Sequence, residues 1–150
     1  PLYAEATQSD AKKVGIKINL KNVDYNVLDG IGVRGEYDLL ISNILTEQAG
    51  DPEVFVNQYW KTNVDGSNPQ NGSGYSNPEY DALSDQLASE FDPAKRRDII
   101  IKMEKIVQDD AATLIFGYPQ TNMVSNKSVQ NANIYPCDYY WVTKDITPAK

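Results

Sequence analysis

A chain of 150 residues is long enough to bury one core, and its formal net charge of −7 excludes a nucleic-acid partner, which would need a cationic face. With no histidine and a single cysteine, Cys137, it also excludes a Ser-His-Asp triad, an internal disulfide and a soft-metal centre built from His and Cys ligands.

Residues 2–13 hold good helix formers, and Gly15 suits the left-handed cap that would end the helix. Ile16, Ile18 and Leu20 then alternate with Lys17, Asn19 and Lys21, which predicts a strand over 16–22 with one face covered. Asp24 is a candidate N-cap for a helix over 24–33. Residues 37–43 are apolar enough for a strand buried on both faces, and a right-handed βαβ unit would set it parallel to the first. Asp51 and Pro52 open a further helix through Tyr59. The Gly-, Asn- and Ser-rich segment 61–74 reads as a long, mobile surface loop.

Two helices follow in close succession. Asn77-Pro78 and Asp92-Pro93 are N-cap and first-turn pairs. Tyr80, Leu83 and Leu87 make one apolar stripe; Ile99, Met103, Ile106 and Val107 make the next, with Arg96, Lys102 and Lys105 facing outward. The pair is expected to form an αα-hairpin, near 77–90 and 93–111, covering the sheet. Residues 114–118 read as a strand ended by Pro119, residues 122–125 as another short one, and 126–150 as irregular.

Few residues are arranged for chemistry. Gly30, Gly32 and Gly35 match G-x-G-x-x-G, but that motif needs a strand before it and a helix after it, and here the order is inverted. A helix-to-strand connection is the better reading. Asp51 with Glu53, and Asp109 with Asp110, read as caps and solvated faces, since nothing sets either pair on opposed walls of a cleft. The 61–74 loop lacks the alternation of a calcium loop. The best candidate site is residues 43–51, because open α/β sheets bind ligands beyond the carboxyl ends of their strands. Tyr59, Trp60 and Tyr75 fit either a cavity wall or a core.

Several motifs, in order, resemble one family. They are the helix end and strand of 12–24, Gly35-Glu36-Tyr37-Asp38, the Asp51-Pro52 pair, Tyr75-Ser76-Asn77-Pro78-Glu79-Tyr80-Asp81, and Asp92-Pro93-Ala94-Lys95-Arg96. The ordered set is similar to the nickel-, dipeptide- and oligopeptide-binding solute-binding proteins of ABC transporters (extracytoplasmic solute-binding family 5).

The resemblance implies an α/β, periplasmic-binding-protein-like (type II) lobe with a partly parallel sheet and flanking helices. The chain would be most of a carboxy-terminal lobe, its partner amino-terminal lobe lying elsewhere. It implies a non-enzymatic function without cofactor: capture of a short peptide or a nickel or other metal chelate by lobe closure, and delivery to an ABC permease. The location would be extracytoplasmic, periplasmic or lipid-anchored. Residues just past the 37–43 strand line the solute cavity in this family, which carries over to Asn43, Ile44, Leu45, Thr46 and Glu47. Peptide-binding members often place a tryptophan where Ile44, Leu45 and Thr46 stand, and an acid for the peptide's amino group near Glu47. Tyr139, Tyr140 and Trp141 would pack at the seam with the other lobe. Two other classes remain open: a small α/β hydrolase or transferase using its Asp and Glu pairs, and a sensory domain reusing the fold.

Overall fold

The structure, a computed structural model, describes residues 2–44, 51–118, 120, 122–134 and 142–149. Contacts divide the chain into two compact units, Pro1–Leu114 and Ile115–Lys150. Cys137, Pro119 and the Tyr139, Tyr140 and Trp141 cluster lie outside the described residues.

In the first unit, α1 (Leu2–Lys13) and α2 (Tyr25–Arg34) form where local chemistry predicts them. Asp24 caps α2 by accepting from Asn26 N at 2.9 Å. Both helices end in paired reverse bonds around a glycine at positive φ. Ile16 N donates to Ala11 O (3.0 Å) and Gly15 N to Lys12 O (3.2 Å) around Gly15 at φ 84°. Glu36 N to Ile31 O and Gly35 N to Gly32 O, both 3.2 Å, do the same around Gly35 at φ 63°. Neither helix contributes a buried residue.

The core lies instead among α3 (Glu53–Trp60), α4 (Pro78–Ser89) and α5 (Pro93–Asp109), which pack on one another pairwise. Asn77 Oδ1 accepts from Glu79 N and Tyr80 N, and Asp92 Oδ1 from Ala94 N and Lys95 N, so each N-cap contributes about 1 kcal/mol. The α4–α5 hairpin buries Tyr80, Leu87, Ile99, Ile100, Met103 and Val107 together with Val56 of α3. Each such side chain contributes roughly 1.5–3 kcal/mol of apolar burial. Two polar groups enter this core with partners: Tyr80 Oη donates to Val56 O at 2.6 Å, and Ser84 Oγ bonds Asn57 Oδ1 at 2.8 Å.

The expected strands are where sequence and structure part. Residues 16–22, 37–43, 114–118 and 122–125 carry no hydrogen-bonded ladder. The hairpin therefore covers α3 rather than a sheet. Alternation specifies which face of a strand is apolar but not what pairs with it, and a strand without a partner has no ladder to form. Accordingly Ile16, Leu20, Leu39, Ile41, Leu114 and Ile115 are exposed. Among the described residues the sheet is two-stranded and antiparallel, in the second unit: β1 (Val129–Gln130) pairs with β2 (Thr147–Pro148). That ribbon lies within 126–150, expected to be irregular. Asn131 Nδ2 donates to Asp145 O at 3.0 Å and braces it.

The 61–74 loop is built rather than featureless. Asn71 is buried, its Nδ2 donating to Lys61 O (3.0 Å) and Tyr75 O (2.8 Å). Asn68 Nδ2 donates to Asn57 O (2.9 Å) and Lys61 O (2.7 Å), fastening the loop to the end of α3. Gly72 meets α2 backbone to backbone: a Cβ there would collide with the Gly32 carbonyl, and one on Gly35 with the Gly72 carbonyl. Gly30 and Gly32 lie inside α2 and Gly35 caps it, so the three glycines form a helix end and a packing seam, not a phosphate loop.

Candidate functional site

The candidate loop leaves residues 37–43 and returns at Asp51. Asn43 is exposed and Ile44 half-buried; Leu45, Thr46 and Glu47 lie outside the described residues. At the return, Asp51 Oδ1 accepts from Glu53 N at 2.9 Å, tightening the first turn of α3 behind Pro52.

Arg96 organises this corner. Its Nη2 donates to Asp51 Oδ2 and to Glu53 Oε2, both at 2.7 Å. Its Nη1 donates to Leu87 O (2.9 Å) and Glu90 O (2.7 Å) at the end of α4, where Leu87 O also accepts the cap bond from Glu90 N at 3.2 Å. The side chain is 17% exposed, so the expectation that Arg96 faces outward is corrected. A planar guanidinium with five donors can serve several acceptors at once where an ammonium cannot. The bond to Glu53, with Asp51 adding to it, holds the guanidinium above its ordinary pKa. Sequence reasoning missed this cluster. The signal was present: a cation in the first turn of a helix opposes the helix dipole, so its charge has to be answered elsewhere.

The aromatic residues of α3 stack among themselves. Phe55 meets Trp60 edge-on at 5.0 Å and Tyr59 at 5.7 Å. Phe55, Trp60 and Tyr75 pack against the buried cluster, which selects the core reading over a cavity wall for Trp60 and Tyr75. Burial, reinforced by Asp29 and Tyr25, raises the Tyr59 phenol.

The second carboxylate pair is also engaged. Asp109 pairs with Lys105 at 2.7 Å. Asp110 Oδ2 accepts from Tyr75 Oη (2.6 Å) and Asn77 Nδ2 (2.8 Å), tying the start of α4 to the end of α5. These bonds depress the Asp110 carboxyl, while burial and then Asp110 push the Tyr75 phenol up to about 12. Among the described residues no group of three or more Asp, Glu, His or Cys side chains is placed to hold a metal. A groove of about 560 Å³ lies elsewhere, between α1 and the segment after it, lined by Gln8, Lys12, Ile16 and Lys17 among others. Among the described residues no helix is long and apolar enough to cross a membrane.

No protein-family model matches the chain. Among curated proteins it is 33% identical over 128 residues to the probable D,D-dipeptide-binding periplasmic protein DdpA of Escherichia coli, covering 85% of this chain and 24% of that one. It is 30% identical over 139 residues to the nickel-binding protein NikA of Staphylococcus aureus, covering 93% of this chain and 27% of NikA. The chain thus spans about a quarter of the length of these relatives. The crystal structure of Staphylococcus aureus NikA in complex with Ni(L-His)2 matches with a TM-score of 0.72 at 25% identity, over 97% of this chain and 30% of NikA. That likeness places the chain in the α/β, periplasmic-binding-protein-like class, although its described residues pair only one small ribbon of strands. Over most of its length, the chain is homologous to the nickel-, dipeptide- and oligopeptide-binding family of solute-binding proteins.

Proposed function

We propose that this chain is most of the carboxy-terminal lobe of a two-lobed binder that captures a short peptide or a nickel or other metal chelate and presents it to an ABC permease. The observation that carries this reading is the 0.72 TM-score over 97% of the chain to a protein solved with Ni(L-His)2, beside dipeptide-binding relatives. The protein would work outside the cytoplasmic membrane, periplasmic or lipid-anchored. Hinge closure against the amino-terminal lobe would bury the solute. Contacts from this lobe would come from Asn43, Ile44, Leu45, Thr46 and Glu47. Because Asp51 and Glu53 are committed to Arg96, an ammonium on the solute would fall to Glu47. A charge-assisted bond of that kind contributes about 1.5–3 kcal/mol.

A hydrolase or transferase reading gains no support. Both carboxylate pairs it would use are tied to structural partners, and the sequence has no histidine.

Calorimetry of the two-lobed protein with Ni(L-His)2 and with L-alanyl-L-alanine tests the proposal. Saturable binding of either solute without turnover is expected. A folded protein that binds neither, or that hydrolyses the dipeptide, overturns it.

A further inference from the structure

We propose that Asn71-Gly72 is a self-modification site gated by the 61–74 loop: when the loop opens, the Gly72 nitrogen attacks the Asn71 side-chain amide, and the altered loop no longer closes.

This is the one Asn-Gly pair in the sequence. Asparagine is thermolabile because the following amide nitrogen reaches its side-chain carbonyl carbon in an unstrained ring, and glycine, lacking Cβ, leaves that nitrogen unshielded. The Gly72 N–H bond breaks and the nitrogen bonds Asn71 Cγ. The Cγ–Nδ2 bond breaks, and ammonia leaves with the proton. One water then opens the succinimide at either carbonyl, giving aspartate or isoaspartate at 71.

The structure holds the electrophile and leaves the nucleophile free. Asn71 Nδ2 donates to Lys61 O (3.0 Å) and Tyr75 O (2.8 Å), while Oδ1 accepts from Ser73 Oγ (2.9 Å) and Tyr75 N (3.2 Å). Nδ2 is the leaving group, so both of its bonds must break before the ring is complete. Among the described residues nothing accepts from Gly72 N. The rate is therefore set by how often the lock opens. Closure afterwards fails on two counts. A carboxylate at 71 has no donor for Tyr75 O and sets its charge against two carbonyls. Isoaspartate adds an atom to the main chain beside Gly72, where the Gly32 carbonyl leaves no room even for a Cβ. Among the described residues no other helix or strand packs on α2, so loss of this seam releases it.

Peptide mass spectrometry of the full-length protein, aged in warm, mildly alkaline buffer, tests the proposal by comparing conversion at 71 in native protein and in urea-unfolded chain. Native conversion should be at least about tenfold slower. Asn68→Ala leaves Asn71-Gly72-Ser73 intact but unfastens the loop from the end of α3, and should speed native conversion about tenfold. If that variant does not fold, wild type in sub-denaturing urea should show the same acceleration. Converted protein, separated by its added charge, should unfold at lower urea and exchange amides of 25–35 about tenfold faster. Equal native and unfolded rates overturn the proposal, as does an unfolded chain that keeps Asn71 intact. Converted protein with an unchanged urea midpoint and unchanged α2 exchange also overturns it.

Discussion

Replacing Asn71 by alanine should cost more than replacing its neighbour Asn68, although both are loop asparagines with two carbonyls to serve. Asn71 is 3% exposed and makes four side-chain bonds, to Lys61 O, Tyr75 O, Tyr75 N and Ser73 Oγ. After Asn71→Ala, Lys61 O keeps Asn68 Nδ2 at 2.7 Å and Tyr75 N keeps Ser73 Oγ at 3.3 Å. Tyr75 O loses its side-chain donor outright. One stranded carbonyl costs about 1–3 kcal/mol and each of the three other lost bonds about 0.5–1.5, which together give roughly 2.5–7.5 kcal/mol. Asn68→Ala strands nothing: Asn57 O keeps Lys61 N and Lys61 O keeps Asn71 Nδ2. Its two lost bonds cost about 1–3 kcal/mol. Urea unfolding at neutral pH measures both. Equal costs, or an Asn71→Ala loss under about 0.5 kcal/mol, would refute the loop as an extension of the core.

Met103→Ala removes a fully buried side chain and should cost about 2–5 kcal/mol by chemical denaturation, against less than about 0.5 for exposed Lys102→Ala. The Asp110 carboxyl is depressed, so its bond to Tyr75 stabilises the fold at neutral pH and fades as pH falls below 3.8; the gap between wild type and Tyr75→Phe should narrow steadily as acid titration proceeds below that pH, and a gap that stays constant would refute the link. The Tyr75 phenol is raised from 10.0 to about 12, so its stabilisation is complete below pH 10 and lost through about 12; alkaline unfolding of Tyr75→Phe should lack that step. Glu47→Gln in the two-lobed protein should weaken L-alanyl-L-alanine binding about tenfold and spare a dipeptide with a blocked amino group; equal affinities would remove Glu47 from the site. The isolated chain should bind either probe only near millimolar where the two-lobed protein binds near micromolar, since half of about −8 kcal/mol remains; matching affinities in calorimetry would place the whole site in this chain.

What the sequence made legible was local. Asp24, Asn77 and Asp92 each satisfy backbone donors two or three residues away, so a cap and its helix are visible in one window. The hairpin stripes were readable for the same reason, apart from Ile100, which lies beside Ile99 and off the strict spacing. Strands 16–22 and 37–43 were not, because pairing depends on segments far along a chain, and here on none that is described. Arg96 was misread because periodicity assigns a face to its Cα. So long a side chain can leave that face for carbonyls nine and six residues back and carboxylates 45 and 43 back. Of the candidate site, position in the chain was legible, while the commitment of Asp51 and Glu53 was not.

The glycine seam makes mutational tolerance here run against chemical intuition. Alanine is ordinarily the mildest replacement for glycine. At Gly30 an added methyl meets only the movable end of Arg34, and at Gly32 it rests 3.4 Å from Leu40, so both should accept alanine and gain about 1 kcal/mol of helix propensity. At Gly35 and Gly72 the obstacle is backbone on the opposite side, which no rotamer relieves, and Gly35 also sits at φ 63°. A saturation library across 30–35 and 72 would therefore split an apparent three-glycine signature. Two of its members should accept alanine, and the third should be locked to a glycine 37 residues away that no linear pattern includes.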